Sequence, residues 1–490
     1  MYGERGVIGL RKENKSIWER RVALTPQQVQ KLVQSGIKVL VEPSSLRCYS
    51  DSEYQKVGAE VTEDISSASL IIGIKEVPSE SLIPNRNYMF FSHVIKAQPY
   101  NMPMLDSVLA KNVTLIDYEC IVDENNQRVV AFGKFAGNAG MIDFLQGLGK
   151  FLLMRQISSP FIYLGMSYNY PSLSNALEAL KQVGDLIETE GLPDQLVPMI
   201  FGITGTGRCS QGAQKILKQL PHEFISPEDL ENFNPGSQAK HKVYVVAFGT
   251  SHLVENKTTG TFDREEYRNF PGEYKAIFGT KYAKKLSVVV HTTYWEPLSP
   301  QLLKREDILG GDSRLLGVCD ISCDLSGGVE FCRKFTTPES PFYLYEAEGD
   351  KVHSFLEKYA MDSLLYHSMD FLPSELPRDA SQYFGKKLMP MITELASVDP
   401  EVPLMSLKVR SEISKAVIAC RGELTPAFTY IQQMRSDSNG NKASKNIVAQ
   451  ILEEKPDLLD DIENASFGHM EVSEAFKKAL DKLKEAFNSI

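Results

Sequence analysis

The apolar run Val197-Pro-Met-Ile-Phe-Gly-Ile-Thr204 passes directly into Gly205-Thr-Gly-Arg-Cys-Ser-Gln-Gly-Ala213, and this junction decides the fold. The run has the composition of a buried strand, and Gly212 to Leu220 behind it is spaced as an amphipathic helix. Strand, glycine turn and helix in that order make the phosphate-binding corner of a doubly wound sheet. Gly205 permits the tight turn, Gly207 lets the backbone approach a pyrophosphate, and the helix start turns its amides and positive dipole end to the anion. Ser210 stands where a third glycine is usual. An ordinary glycine-rich turn would carry the same string, but its place between strand and helix favours dinucleotide binding through Gly205, Thr206, Gly207, Arg208 and Ser210.

In such a unit the next strand ends about 20 residues on, where an acidic residue normally holds the ribose hydroxyls of NAD. Here the segment is Glu223-Phe-Ile-Ser226, with Ser226 at its end. A serine does not repel a 2′-phosphate, so NADPH is expected over NADH, with Glu228 the residue that argues the other way.

Outward from this corner the same alternation continues. Strands are expected at Val243–Phe248, 286–290 and 315–320. On the N-terminal side strands are expected at 6–10, Lys38–Val41, 69–75, 88–92 and 113–118, with a helix over Pro26–Gln34 opened by Thr25-Pro26. Strands alternating with helices mean parallel, doubly wound α/β units. Met141, Phe144, Leu145, Leu148, Phe151 and Leu152 mark a long helix over 140–154, and Leu173 to Thr189 another.

The chain has 490 residues, enough for two or three domains at a prior of roughly 150 residues each. Lys plus Arg number 53 against 63 Asp plus Glu, a net charge of −10, the wrong sign for nucleic acid. No apolar stretch reaches the roughly 18 residues of a membrane span. Seven scattered cysteines, with no Cys-x-x-Cys, argue against a disulfide framework and against zinc. The N-terminus shows no targeting signal, and a cytoplasmic or mitochondrial-matrix location is expected.

Several ionisable residues close strands, where ligands of open α/β sheets collect. Lys75 closes Ile71-Ile-Gly-Ile-Lys75 and His93 closes Phe90-Phe-Ser-His93. A lysine and a histidine in one cleft suit a pair that passes protons, although a solvated lysine and a core histidine would read the same. Glu119 ends Leu115-Ile-Asp-Tyr-Glu119, Arg21 follows the first strand, and Arg128 precedes Val129. Guanidinium groups bind carboxylates bidentately and a carboxylate holds an ammonium, a mix that fits an amino acid plus an oxo acid. Asp320 and Asp324 sit after a strand in Cys319-Asp-Ile-Ser-Cys-Asp-Leu-Ser-Gly-Gly328, where turn and site are equally good readings.

In collinear order, Trp18-Glu-Arg-Arg-Val-Ala-Leu-Thr-Pro26, Phe90-Phe-Ser-His-Val-Ile-Lys-Ala-Gln98, Val130-Ala-Phe-Gly133, Ala136-Gly-Asn-Ala-Gly140, Gly205-Thr-Gly207, Tyr294-Trp-Glu296 and Leu372-Pro-Ser-Glu-Leu-Pro377 resemble the lysine-ketoglutarate reductase module of α-aminoadipic semialdehyde synthases. More distantly they are similar to lysine-forming saccharopine dehydrogenases and alanine dehydrogenases. The resemblance implies an oxidoreductase of lysine degradation that condenses L-lysine with 2-oxoglutarate and reduces the imine to saccharopine. It places Lys75 and His93 on the acid/base pair, Arg21 in the substrate cleft, and Asp324 near substrate and nicotinamide. Glu119 would hold an ammonium of lysine, and Arg21 and Arg128 substrate carboxylates. A reductive amination of the alanine dehydrogenase kind, or a catalytically silent NADP-binding partner, are the competing readings.

The resemblance also implies the organisation. Two Rossmann-like domains with a cleft between them are expected: a discontinuous substrate domain, 1–138 and 346–435, and an NADP-binding domain, 139–345. Ser436-Asp-Ser-Asn-Gly-Asn-Lys opens an expected linker and helical tail, 436–490. In the bifunctional family that the motifs resemble, a saccharopine-cleaving dehydrogenase follows the reductase. With no second glycine corner here, a stand-alone reductase or an excised module is expected, and a saccharopine dehydrogenase domain or protein is the partner the resemblance implies.

Overall fold

The computed structural model describes residues 6–310, 313–355, 363–396, 398 and 402–436. The expected tail beyond Ser436 lies outside them. The chain divides into two compact units, Met1–Lys75 with Val122–Asp399, and Glu76–Ile121 with Pro400–Ile490. Each is described by itself.

In the larger unit, β1 (Val7–Leu10), β2 (Lys38–Val41), β3 (Glu60–Val61) and β4 (Leu70–Ile72) run parallel in the order β3-β2-β1-β4. Helix α1 (Pro26–Gln34) starts where the sequence placed it: Thr25 and Gln28 form a capping box and Pro26 fills the first turn. Its inner face buries Val29 and Leu32, each stabilising by about 1.5–3 kcal/mol. A second short helix, α2 (Asp51–Lys56), precedes β3.

In the smaller unit, β5 (Asn87–Phe90), α3 (Met102–Ala110) and β6 (Thr114–Asp117) form a parallel β-α-β step, with β5 and β6 buried at every position. That double burial is what a parallel strand covered on both faces requires.

Helix α4 (Gly133–Met154) returns the chain to the larger unit and is buried nearly all round, which matches its apolar sequence. It begins seven residues before the expected start, so the expected 138/139 boundary falls inside it. Helix α5 (Leu173–Glu190) leads to the second sheet. There β7 (Ile200–Thr204) is followed by α6 (Arg208–Leu217), β8 (His222–Phe224) and β9 (Val243–Phe248). A small hairpin, β10 (Val254–Asn256) with β11 (Tyr274–Ala276), stands apart. Then come β12 (Val288–His291), β13 (Gly317–Asp320), β14 (Tyr343–Glu346), β15 (Lys351–Ser354) and β16 (Ser363–His367).

The second sheet runs β15-β14-β16-β13-β12-β7-β9-β8. Its centre is parallel, and β14 and β15 add an antiparallel edge. The expected end of the nucleotide-binding segment at residue 345 falls inside β14, and this sheet continues to His367. Alternating Tyr343, Leu344 and Tyr345 bury against β16, which holds the segment there. The 19-residue helix Pro377–Leu395 follows. In the smaller unit the strands β17 (Val417–Cys420) and β18 (Glu423–Leu424) then pair antiparallel, β17 beside β6.

Helices α4 and α6 cross backbone to backbone. A Cβ at Gly137 would run into the Cys209 carbonyl, and one at Gly212 into the Lys134 carbonyl. The glycine at 212 therefore serves helix packing. Among the described residues no helix is long and apolar enough to cross a membrane.

Candidate functional site

The glycine corner forms as its sequence requires. Gly205 takes φ +84°, the left-handed region open to glycine, and its amide donates to the Phe248 carbonyl at 2.8 Å. Thr204 is tied down from the far side of the corner: its Oγ1 accepts from the Thr292 amide at 3.1 Å and from Thr293 Oγ1 at 2.9 Å. Gly207 caps α6, and a Cβ built on it meets nothing within 4 Å. Thr206 and Gly207 are exposed, so the chain entering α6 faces open space. That opening fits a pyrophosphate. Ser210 is fully buried and its Oγ accepts from Gln214 Nε2 at 3.0 Å, so it stands inside the helix packing. The Arg208 guanidinium donates to the Arg128 carbonyl at 2.7 Å, bringing these two expected site residues together. Arg128 itself is exposed.

On the ribose side the structure differs from the simplest pattern. The strand beside β7 is β9, and β8 lies beyond it at the sheet edge. Ser226 follows β8, donating to Asp229 Oδ2 at 2.7 Å and accepting from its amide at 3.1 Å. The residues after β9, Gly249 to His252, are therefore those next to the glycine turn, and His252 Nε2 pairs with Glu228 Oε1 at 2.8 Å. The Gly249-Thr250 step ending a buried strand was the available signal for them.

Arg21 is 3 % exposed. Glu19 clamps it bidentately, Nε to Oε1 at 2.8 Å and Nη2 to Oε2 at 2.6 Å. The guanidinium lies 4.2 Å from the Phe132 ring centre, and Phe132 stacks on Phe384 at 4.6 Å. The arginine is thus fixed in place on an aromatic floor, with its charge already balanced. Lys75 follows β4, which ends at Ile72. Buried Glu13 holds the backbone there, accepting from the Ile74 amide at 2.7 Å and the Lys75 amide at 3.0 Å. Burial pushes the Glu13 carboxyl above its ordinary range, with Arg11 opposing. Asp324 is half-buried in the turn after β13, where its carbonyl accepts from the Gly327 amide.

In the smaller unit His93 takes φ +52°, and its Nδ1 lies 2.6 Å from Glu76 Oε1. The preceding Ser92 bonds buried Asp117 through both its amide and its hydroxyl. Asp117 also accepts from the Glu119 amide at 2.7 Å, so one carboxylate sets the backbone that carries both Glu119 and His93. Burial raises the Asp117 carboxyl to about 6, with the Ser92 hydrogen bond opposing.

Asp143, Glu375 and His291 are buried, and nothing in their sequence spacing marks them. Asp143 of α4 and Glu375 of the Leu372–Glu375 turn are buried near one another, and burial first, then the Asp143 charge, drives Glu375 well above the carboxylate range. The Ser167 amide donates to Asp143 Oδ1 at 2.6 Å. At the ends of β12 and β13, His291 Nδ1 stands 2.9 Å from Asp320 Oδ1, and Tyr366 donates to Asp320 Oδ2 at 2.9 Å. Asp320, left between turn and site by the sequence, is part of a buried network.

Residues 9–139 match the family described as alanine dehydrogenase/PNT, N-terminal domain. The α-aminoadipic semialdehyde synthase of Bos taurus, named as mitochondrial, is 38 % identical over 88 % of this chain and 48 % of its own length. The lysine-forming, NAD(+) saccharopine dehydrogenase of Yarrowia lipolytica is 28 % identical over 80 % of this chain and 93 % of its own. An L-alanine dehydrogenase structure superposes with a TM-score of 0.56 at 17 % identity, covering 88 % of this chain, which shows the shared fold. The chain spans about half the length of the synthases it matches. The resemblance read from the motifs therefore extends over most of the chain.

Proposed function

We propose that this homologue of the α-aminoadipic semialdehyde synthases is a lysine–2-oxoglutarate reductase, which condenses L-lysine with 2-oxoglutarate and reduces the imine to saccharopine with NADPH. The observation that carries the reading is the 38 % identity to a synthase over 88 % of the chain, joined to a glycine corner whose open Gly207 fits a dinucleotide.

Bound at that corner, the reduced nicotinamide would supply the hydride for the imine carbon. The amine of lysine must lose a proton to attack the keto carbon, and the carbinolamine oxygen must gain one to leave as water. Lys75 and His93 are the groups proposed to take and return those protons. Arg21 would bind a substrate carboxylate from its fixed seat on Phe132, with Arg128 a second candidate and Glu119 the partner of an ammonium. Asp324 and Ser226 remain proposed contacts of substrate and cofactor. The discontinuous substrate domain and the hinge it implies belong to the same proposal.

Oxidation of NADPH with 2-oxoglutarate, followed at 340 nm, tests this directly. Lysine-dependent oxidation supports the reading, ammonia-dependent oxidation replaces it with an alanine dehydrogenase-like reaction, and no turnover with either removes both. An NADH arm decides the cofactor.

A further inference from the structure

On the outer face of α6, away from its glycine-capped start, a groove of about 250 Å³ is lined by Lys134, Gln211, Gln214, Lys215, Lys218 and Gln219. Lys134 comes from α4 and the others from α6 and the turn after it. They converge because Gly137 and Gly212 let the two helix backbones touch, which sets the first turn of α4 beside the middle of α6.

No carboxylate lines this groove. Among the described residues none of its three ammonium groups has a carboxylate within ion-pairing distance, and the Lys218 ammonium lies over the Phe224 ring at 5.2 Å. The nearest acid felt by Lys215 is Asp379, whose Oδ2 already accepts from the Leu173 amide at 2.9 Å. Burial and the neighbouring charge of Lys134 hold the Lys215 ammonium below its ordinary range. Like charges gathered on a concave surface cost free energy until an anion joins them. Two of the lining glutamines are held by local bonds within α6 and its entry turn: Gln214 Nε2 donates to Ser210 Oγ at 3.0 Å and Gln211 Nε2 to the Thr206 carbonyl at 3.4 Å.

We propose that this groove binds a phosphate group, as the free ion or as a monoester on a small metabolite, at a site separate from the dinucleotide. Lys134 from α4 and Lys215 from α6 bring two positive charges to one groove, which suits a phosphate dianion, and the volume admits a phosphate with a few attached atoms. The proposal goes beyond the reductase reading and does not depend on it, because its readout is binding.

The test is calorimetric titration of the full chain with inorganic phosphate and with glycerol 3-phosphate, each with and without saturating NADPH. One saturable phosphate per chain is expected, indifferent to NADPH. A Lys215→Gln/Lys218→Gln variant should bind about tenfold more weakly, the scale of two lost solvent-screened ion pairs. Lys134→Gln should weaken binding by a smaller factor and Lys351→Gln, on β15, not at all. Tighter binding of the free ion names phosphate as the ligand, and tighter binding of the ester names a metabolite. Absence of saturable binding, equal affinity in wild type and the double variant with both melting alike, or displacement by NADPH one for one would overturn the proposal.

Discussion

The imidazole Nδ1 of His93 stands 2.6 Å from Oε1 of Glu76, on a residue held at φ +52°. A non-glycine residue in the left-handed region costs on the order of 1–3 kcal/mol and persists only where its surroundings enforce it. Here Asn101 Nδ2 donates to the carbonyls of Ser92 at 3.1 Å and His93 at 3.3 Å, and Asp117 grips Ser92. The ring is therefore aimed by the backbone and by Glu76. His93→Gln is expected to lower kcat by about 10² or more, the scale of a lost general acid or base, with NADPH affinity kept within a few fold. Glu76→Gln retains a polar partner for the ring, so its loss in kcat should be smaller. Steady-state kinetics beside a fluorescence titration of NADPH check both, and wild-type turnover in His93→Gln would remove the residue from the reaction.

Lys75 depends on Glu13 for the course of its backbone. Lys75→Met removes only the amine, so kcat should again fall by about 10² while the melting temperature holds. Glu13→Ala leaves the Ile74 and Lys75 amides without their acceptor, at a cost of about 1–3 kcal/mol in stability. It should therefore lower both turnover and the denaturation midpoint. Thermal melts of the two variants separate a lost chemical group from a lost support.

Glu375 and Asp143 make stability depend on pH. The Glu375 carboxyl is raised from its ordinary 4.5 by burial and by Asp143. The folded chain therefore binds a proton that the unfolded chain releases. The folded state gains from this below about pH 4.5, and the gain is lost as pH rises through the raised value. Glu375→Gln keeps a neutral donor toward Asp143 at every pH. Urea unfolding at pH 5.5 and pH 8 should show the variant gaining on wild type as pH rises. A constant difference between the two pH values would mean that Glu375 is charged in the folded protein.

Much of this frame was legible in the sequence because it rests on periodicity and on glycine. Strands β2 and β9 lie where Lys38 and Val243 open short apolar runs, and helix α1 lies where Thr25-Pro26 opens it. Strand β8 was harder: three exposed residues carry no burial pattern, and its place outside β9 is a matter of sheet order that no local spacing records. The edge strands β14 and β15 were missed for a related reason, because antiparallel pairing onto β16 is fixed by a partner further along the chain. Among the proposed site residues, strand ends point to Lys75, His93 and Glu119. Glu13, Asp117, Asp143 and Glu375 stayed hidden because each acts on a backbone amide or another carboxyl that only the fold brings near.

Three glycines separate the cofactor from the scaffold. Around Gly207 the space for a Cβ is empty, and its φ of −74° is one that any residue adopts. Gly207→Val should fold with an unchanged melting temperature and yet place a branched side chain where a pyrophosphate must approach α6, weakening NADPH binding by tenfold or more, about 1.4 kcal/mol. Gly137 and Gly212 are the opposite case, since a Cβ on either collides with a backbone carbonyl that a side-chain rotation cannot relieve. Gly212→Val should destabilise by several kcal/mol, at about the top of the range for overpacking, before any effect on the cofactor is reached. Melting curves with NADPH titrations across Gly207→Val and Gly212→Val distinguish the two roles. Unchanged NADPH affinity in a folded Gly207→Val protein would show that the turn only supports the fold and that the dinucleotide lies elsewhere.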